Sequence, residues 1–248
     1  MTTSADEPLD HAERWLIDSL RVLRPSVATY QITVDMANGL QRLDALRKAG
    51  TTASATHLLV HAAAKAFAAN PALHQVISSR TRHRPSSIDI GLSITGDTFV
   101  APVLVFREAD KKTVAQLAEE TARRVPEVQR EDRERLAGLR KWGWLMPFAF
   151  VRRMVMRRLF ADARFQRERV GTFQVTTVPV DWAATSVFVS TGVLVGGQVR
   201  SRVVAVDGQP AVRPTMTVTL CGDHAVWDGR GAARYLAAVK SQLESSGS

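Results

Sequence analysis

The sequence predicts an α/β domain, and three observations carry that prediction. Met216 to Cys221 alternates apolar and polar side chains, the period of a half-buried strand. Gly229 to Leu243 repeats Ala, Leu and Val at helical spacing, an amphipathic helix. Upstream, strand-like and helix-like runs alternate, and the 45% apolar content is enough to build a real core. A length of 248 residues suits one large α/β domain or two small ones. No internal repeat and no dividing linker is visible, so the reading is a single domain over 1–248.

In order along the chain, residues 1–8 are expected to be disordered. Leu9 to Leu23 reads as a helix with Trp15, Leu16, Leu20 and Leu23 on one face, stopped by Pro25. Tyr30 to Met36 reads as a strand, and Gly39 to Lys48 as a short helix with Gly50 as its C-cap. Ser54 or Thr56 caps the next helix, which is rich in Ala and Leu and runs to about Asn70. Ile88 to Ile94 and Thr98 to Val105 form a hairpin around Thr95-Gly-Asp97. Lys111 to Val125 is helical, and Pro126 is expected to interrupt it before a charged, solvated helix over 127–141. Gly171 to Thr177, Ser186 to Val195 and Val199 to Val206 read as strands, the last followed by a turn at Asp207-Gly-Gln-Pro210. The tail, 244–248, is expected to be disordered.

Composition narrows the classes of function. One cysteine excludes an internal disulfide. The polar N-terminus lacks a signal peptide, and no apolar run is long enough to span a bilayer. A cytoplasmic protein is expected. The formal net charge of +9 could attract nucleic acid, anionic lipid or a phosphorylated small molecule such as coenzyme A. Arginine is spread through most of the chain and no nucleic-acid module is visible, so no nucleic-acid partner is expected. His57 and His61 share a helix face, but without a third ligand nearby they read as structural, and no metal is expected.

The stretch His224-Ala-Val-Trp-Asp228-Gly229 joins the last strand to the last helix. A histidine on a short loop beside a rigid sheet is placed for proton transfer near neutral pH. Asp228 stands at the mouth of the helix, where unpaired N–H groups and the helix dipole favour a carboxylate. A strand-end histidine and a capping aspartate are also ordinary structure, so the pattern alone is weak.

Its surroundings add more. Val218-Thr-Leu-Cys-Gly-Asp-His-x-x-x-Asp-Gly-x-x-x-Ala-x-x-Leu resembles the C-terminal signature of the acyltransferase core of 2-oxoacid dehydrogenase complexes, within the chloramphenicol acetyltransferase-like superfamily. Tyr30 to Met36, Ile88 to Val103 and Gly171-Thr-Phe-Gln-Val-Thr-Thr177 resemble earlier family segments in the expected order. The resemblance implies a two-layer sandwich, a mixed sheet with helices packed on it, and a homotrimer with active sites between subunits. It also implies that His224 is the general base, that Asp228 orders the histidine loop, and that Thr176 replaces the family's oxyanion-binding serine. Thr177 is next door, and only one of the two can point into the site. Ala225 stands where the family often has arginine, and the family's first-helix arginine falls on Ser19, with Arg21 nearby.

The expected activity is transfer of an acyl group, foremost acetyl, from acyl-CoA to a hydroxyl of a small molecule, of the kind met in tetronate or polyketide biosynthesis. Coenzyme A thioester is then a co-substrate, with no covalently bound cofactor. The alternatives are a dehydrogenase-complex dihydrolipoamide acyltransferase core and a non-catalytic trimeric scaffold. No lipoyl domain or subunit-binding segment is visible. Residues 142–169, apolar with paired arginines, depart from the dehydrogenase pattern. Their plain reading is a core or interface helix with snorkelling arginines, with a substrate-site lid as an alternative and membrane contact not expected.

Overall fold

A computed structural model describes residues 10–22, 26–78, 81–187 and 190–246. The helices are α1 His11–Val22, α2 Ala37–Lys48, α3 Ala55–Ala69, α4 Val114–Trp142, α5 Ala149–Phe160, α6 Ala163–Val170 and α7 Gly229–Glu244. The strands are β1 Val27–Asp35, β2 Val76–Ser78, β3 Thr81–His83, β4 Ile90–Ser93, β5 Val103–Phe106, β6 Phe173–Thr177, β7 Gly192–Gly196, β8 Arg200–Val206 and β9 Gln209–Asp223. The main sheet runs β1-β9-β7-β6-β4-β5, with β8 also on β9, and β2 and β3 form a separate ribbon. β6 is parallel to both β4 and β7, and the other pairings are antiparallel. A mixed sheet with helices packed on it is therefore the architecture.

Side-chain alternation explains the layers. Met216, Val218 and Leu220 of β9, Leu194 of β7 and Phe173 and Val175 of β6 turn to the helices and are buried against Phe67 of α3 and Tyr235 and Val239 of α7. Thr215, Thr217, Thr219 and Cys221 occupy the opposite face of β9 and are also buried. There the Thr185 N–H donates to Cys221 Sγ at 3.3 Å.

Helix starts follow local chemistry. Thr113 and Gln116 cap α4 reciprocally, with side chain to N–H distances of 3.2 and 2.9 Å. At α3, His57 takes the corresponding place: its Nδ1 accepts the Ser54 N–H at 3.0 Å, which leaves the ring proton on Nε2, 3.2 Å from Thr121 Oγ1. Burial holds His57 below the usual histidine pKa, which suits this neutral role.

Several boundaries move. Pro126 does not interrupt its helix: α4 runs through it to Trp142. Pro126 is exposed, so the carbonyl it leaves unpaired can reach water, and packing beyond it, through Leu136 on α1, sustains the helix. The β4–β5 hairpin closes on a wide loop, because its last ladder contact is Ile94 N–H to Pro102 at 3.0 Å and Thr95-Gly-Asp97 is not a tight turn. Extended pairing before β7 does not begin at Ser186, since β7 starts at Gly192. β9 is far longer than Met216–Cys221. It pairs with β8 across Asp207 and Gly208, whose φ of 51° and 77° make a two-residue hairpin turn. α7 runs to Glu244, whose carboxylate accepts the Asp35 N–H at 2.9 Å. The ribbon of β2 and β3 has no counterpart in the sequence reading. Residues 1–9 and 23–25, and the Ser19, Leu20 and Arg21 side chains, lie outside what is described.

Candidate active site

His224 sits exposed where β9 ends. Its turn is held from several sides. The His224 N–H donates to the Ser26 carbonyl at 2.7 Å, and the Asp223 carboxylate accepts the Ala225 N–H at 3.0 Å, closing the turn as an aspartate commonly does. Trp227 is 1% exposed and inserts into the core beside Phe67, Phe173 and Tyr235. Its indole N–H donates to the Thr191 carbonyl at 3.0 Å. The His224 side chain is thus exposed on a main chain held by hydrogen bonds and packing. Asp228 does not engage the histidine in any described hydrogen bond. Its carboxylate accepts the Gly231 N–H at 2.6 Å as the N-cap of α7.

Asp223 and Trp227 were missed by the sequence reading. The first carried a signal, an aspartate two residues before a turn N–H. The second carried none beyond a large apolar residue in a polar turn.

The two threonines separate by strand alternation. Phe173 and Val175 face the helices, and so does Thr177, whose Oγ1 lies 2.8 Å from Thr56 Oγ1 at the start of α3. Thr176, half-buried, therefore faces the opposite side of the sheet. Beside Thr177 a cleft of about 350 Å³ is lined by Ser54, Thr56, His57, Ser93 and Thr121.

His224 and Thr176 do not meet within one chain. Thr176 is level with Val195, which is level with Thr219 of β9. His224 lies five residues beyond Thr219, roughly 17 Å along the strand, and β6 lies two strands away, so the separation is roughly 19 Å. Neither side chain spans that gap to a common reacting atom.

Among the described residues no group of three or more His, Cys, Asp or Glu could hold a metal ion, and no helix is long and apolar enough to cross a membrane. One buried carboxylate lies elsewhere with two arginines. Asp89, wholly buried, accepts from Arg167 at 2.6 Å and Arg107 at 3.0 Å, joining α6 to β4. Burial pushes its pKa up, and hydrogen bonds from Arg167, the Glu108 N–H, Arg107 and Ser87 outweigh that and hold it below the ordinary value.

Residues 189–247 match the family model for 2-oxoacid dehydrogenases acyltransferase (catalytic domain). The fold is that of the dehydrogenase acyltransferase cores. A structure of the dihydrolipoamide acetyltransferase of Azotobacter vinelandii superposes with a TM-score of 0.72 at 18% identity, over 97% of this chain and 91% of that one. That protein was studied for the roles of a serine, a histidine and an asparagine in its catalytic mechanism, the last two four positions apart. A chloramphenicol acetyltransferase superposes with a TM-score of 0.52 at 15% identity, over 98% of this chain and 100% of that one. By sequence, the chain is 36% identical over 78 residues to the dihydrolipoyllysine-residue succinyltransferase component of the 2-oxoglutarate dehydrogenase complex of Bartonella vinsonii subsp. berkhoffii. That match spans 30% of this chain and 19% of the relative. The family match therefore covers the acyltransferase fold's last strands, the histidine turn and α7.

Proposed function

We propose that this chain is an acyltransferase that moves an acyl group from a coenzyme A thioester to the hydroxyl of a small molecule. The observation that carries this reading is the exposed His224 on its clamped turn, inside the stretch that matches the acyltransferase family. Neutral His224 takes the acceptor proton as the acceptor oxygen attacks the thioester carbonyl. The carbonyl becomes a tetrahedral oxyanion, which the Thr176 hydroxyl stabilises. Collapse expels the coenzyme A thiolate, which takes the proton back from the imidazolium. Asp228 holds the turn by capping α7 and moves no proton.

The separation of His224 from Thr176 supports a site shared between copies. In a closed cyclic trimer each interface repeats the same two surfaces, so His224 of one copy can face Thr176 of the next.

The second reading is a dihydrolipoamide acyltransferase core, and the curated relative and the family match favour it. It uses the same base and oxyanion group with a thiol acceptor. Incubation with acetyl-CoA or succinyl-CoA, with dihydrolipoamide or a panel of small alcohols as acceptor, separates the two by product. His224→Ala should lower transfer by about 100- to 10,000-fold in either case. His224→Ala and Thr176→Val proteins refolded together should regain part of the activity each lacks. An active monomer would refute the shared site, and wild-type turnover in His224→Ala would refute the acyltransfer reading.

A further inference from the structure

The helices α4 and α5 and the turn between them present a surface that the acyl-transfer chemistry does not use. The inner side of α5 is tied down. Arg152 is buried, donating to Asp18 of α1 at 2.8 Å and to the carbonyls of Met146 and Pro147 at 2.8 and 2.9 Å, and Arg153 reaches the same Asp18 at 3.0 Å. This buried ion pair departs from the reading of a core or interface helix with snorkelling arginines at one position, Arg152, whose guanidinium is buried. Arg152 and Met156 go inward, and Phe150 and Met154 go out.

On the outer side Phe148, Phe150 and Met154 are 63%, 69% and 62% exposed, and Trp142 and Trp144 at the helix junction are each more than half exposed. Phe150, Met154, Arg157 and Arg158 fall at i, i+4, i+7 and i+8, one helix face with an apolar half and a basic half. From Leu136 to Ala161 the sequence holds Arg140, Lys141, Arg152, Arg153, Arg157 and Arg158 and no acid. Arg140 pairs with Asp10, whereas Lys141, Arg157 and Arg158 are exposed, with Lys141 over the Trp142 ring at 5.0 Å.

An apolar patch this large needs a partner, and its charge says which. The partner must be apolar beneath and anionic at the rim. A second copy meeting this face with its own α5 across a two-fold axis would set Arg157 and Arg158 against like charges, and a head-to-tail trimer contact here is the outcome that light scattering reads. A bilayer with anionic headgroups satisfies both halves, with aromatic rings and arginines at the headgroup level. At 12 residues α5 is about 18 Å long, too short to span a hydrocarbon core of about 30 Å, so it would lie in the surface. We propose that this face docks the protein on an anionic membrane surface, with Phe148, Phe150 and Met154 entering the interface and Lys141, Arg157 and Arg158 meeting lipid phosphates. This goes beyond the acyl-transfer reading and does not depend on it.

Sedimentation of the full chain with vesicles tests it. The protein should pellet with vesicles of phosphatidylcholine mixed with phosphatidylglycerol, and salt should release it. It should stay in solution with phosphatidylcholine alone. Arg157→Gln with Arg158→Gln should weaken binding about 25-fold, about fivefold for each cation. Phe150→Asp with Met154→Asp should abolish it, and both side chains are exposed, so thermal melting should show the fold intact. Failure of the wild-type protein to pellet would overturn the proposal, as would equal binding to both vesicle types. Light scattering decides against a copy-to-copy interface: if the Phe150→Asp and Met154→Asp protein falls to a smaller oligomer, the face belongs to a second copy and the proposal fails. Acyl transfer to a soluble acceptor, measured on the same variants, keeps this outcome separate from that of the catalytic assignment.

Discussion

Gly222 is the position at which packing and the histidine turn are joined most tightly. A Cβ built there would lie 2.4 Å from Trp227 Cδ1 and 2.6 Å from Cγ, distances real Cβ atoms do not show. Gly222 cannot move aside, because it is paired with Ala28 of β1 on one side and Gly192 of β7 on the other. The indole cannot move freely either, since it is packed among three aromatic rings and bonded to the Thr191 carbonyl. Gly222→Ala should therefore cost about 2 kcal/mol for overpacking. Loss of the indole hydrogen bond adds about 1 kcal/mol. For a chain of this size about 3 kcal/mol lowers Tm by about 6–12 °C. The displaced Trp227 carries the His224 turn with it, and a shift near 1 Å at a catalytic group is worth about 100-fold in rate. Calorimetry on Gly222→Ala, Trp227→Leu and the double variant is the assay. The smaller side chain relieves the clash, so the double variant should be more stable than the sum of the singles predicts, by about 1 kcal/mol or more. A Gly222→Ala protein melting within about 1 °C of wild type, or strict additivity, would refute the reasoning.

Asp228→Ala should cost about 1 kcal/mol by uncapping α7, whereas Asp228→Asn keeps the cap and should retain stability and activity. An inactive but fully stable Asp228→Asn would mean that the carboxylate itself acts in catalysis. Thr177→Val should lose about 1 kcal/mol with its Thr56 partner and little rate. Thr176→Val should do the reverse, with rate down about 100- to 1000-fold at unchanged Tm; the opposite pattern would exchange the two assignments. Burial, the largest cause, lowers the His74 pKa from 6.5 to about 4. Its folded value lies below its unfolded one, so the stability it contributes is whole above pH 6.5 and is lost as pH falls toward 4. That loss is about 3 kcal/mol. Urea unfolding of wild type and His74→Gln at pH 7 and pH 4.5 should show a smaller acid loss in the variant, and equal losses would show that His74 is not the titrating group.

Much of this protein was legible without its structure because the relevant rules are local. Periodicity marked β1, β6, α3 and α7. Capping chemistry placed Asp228 at a helix start and left Ser54 or Thr56 for α3, of which Ser54 is the cap, and alternation required that Thr176 and Thr177 face opposite ways. The His224 turn could be found because a strand, a short polar loop and a helix N-terminus follow one another in 22 residues, Thr215 to Leu236. Tertiary structure decided the rest, where residues distant in sequence outweigh local preference. Pro126 sits inside α4 because packing beyond it outweighs one lost hydrogen bond. Arg152 points inward because Asp18, 134 positions earlier, waits there. Strand order and register together set His224 and Thr176 roughly 19 Å apart in one chain. Which threonine faces the helices was settled by Thr56, 121 positions away. Residue type and spacing determine which side chains can do chemistry, but the direction and distance between them are set by the sheet, whose register is a property of pairs of strands and not of either strand alone.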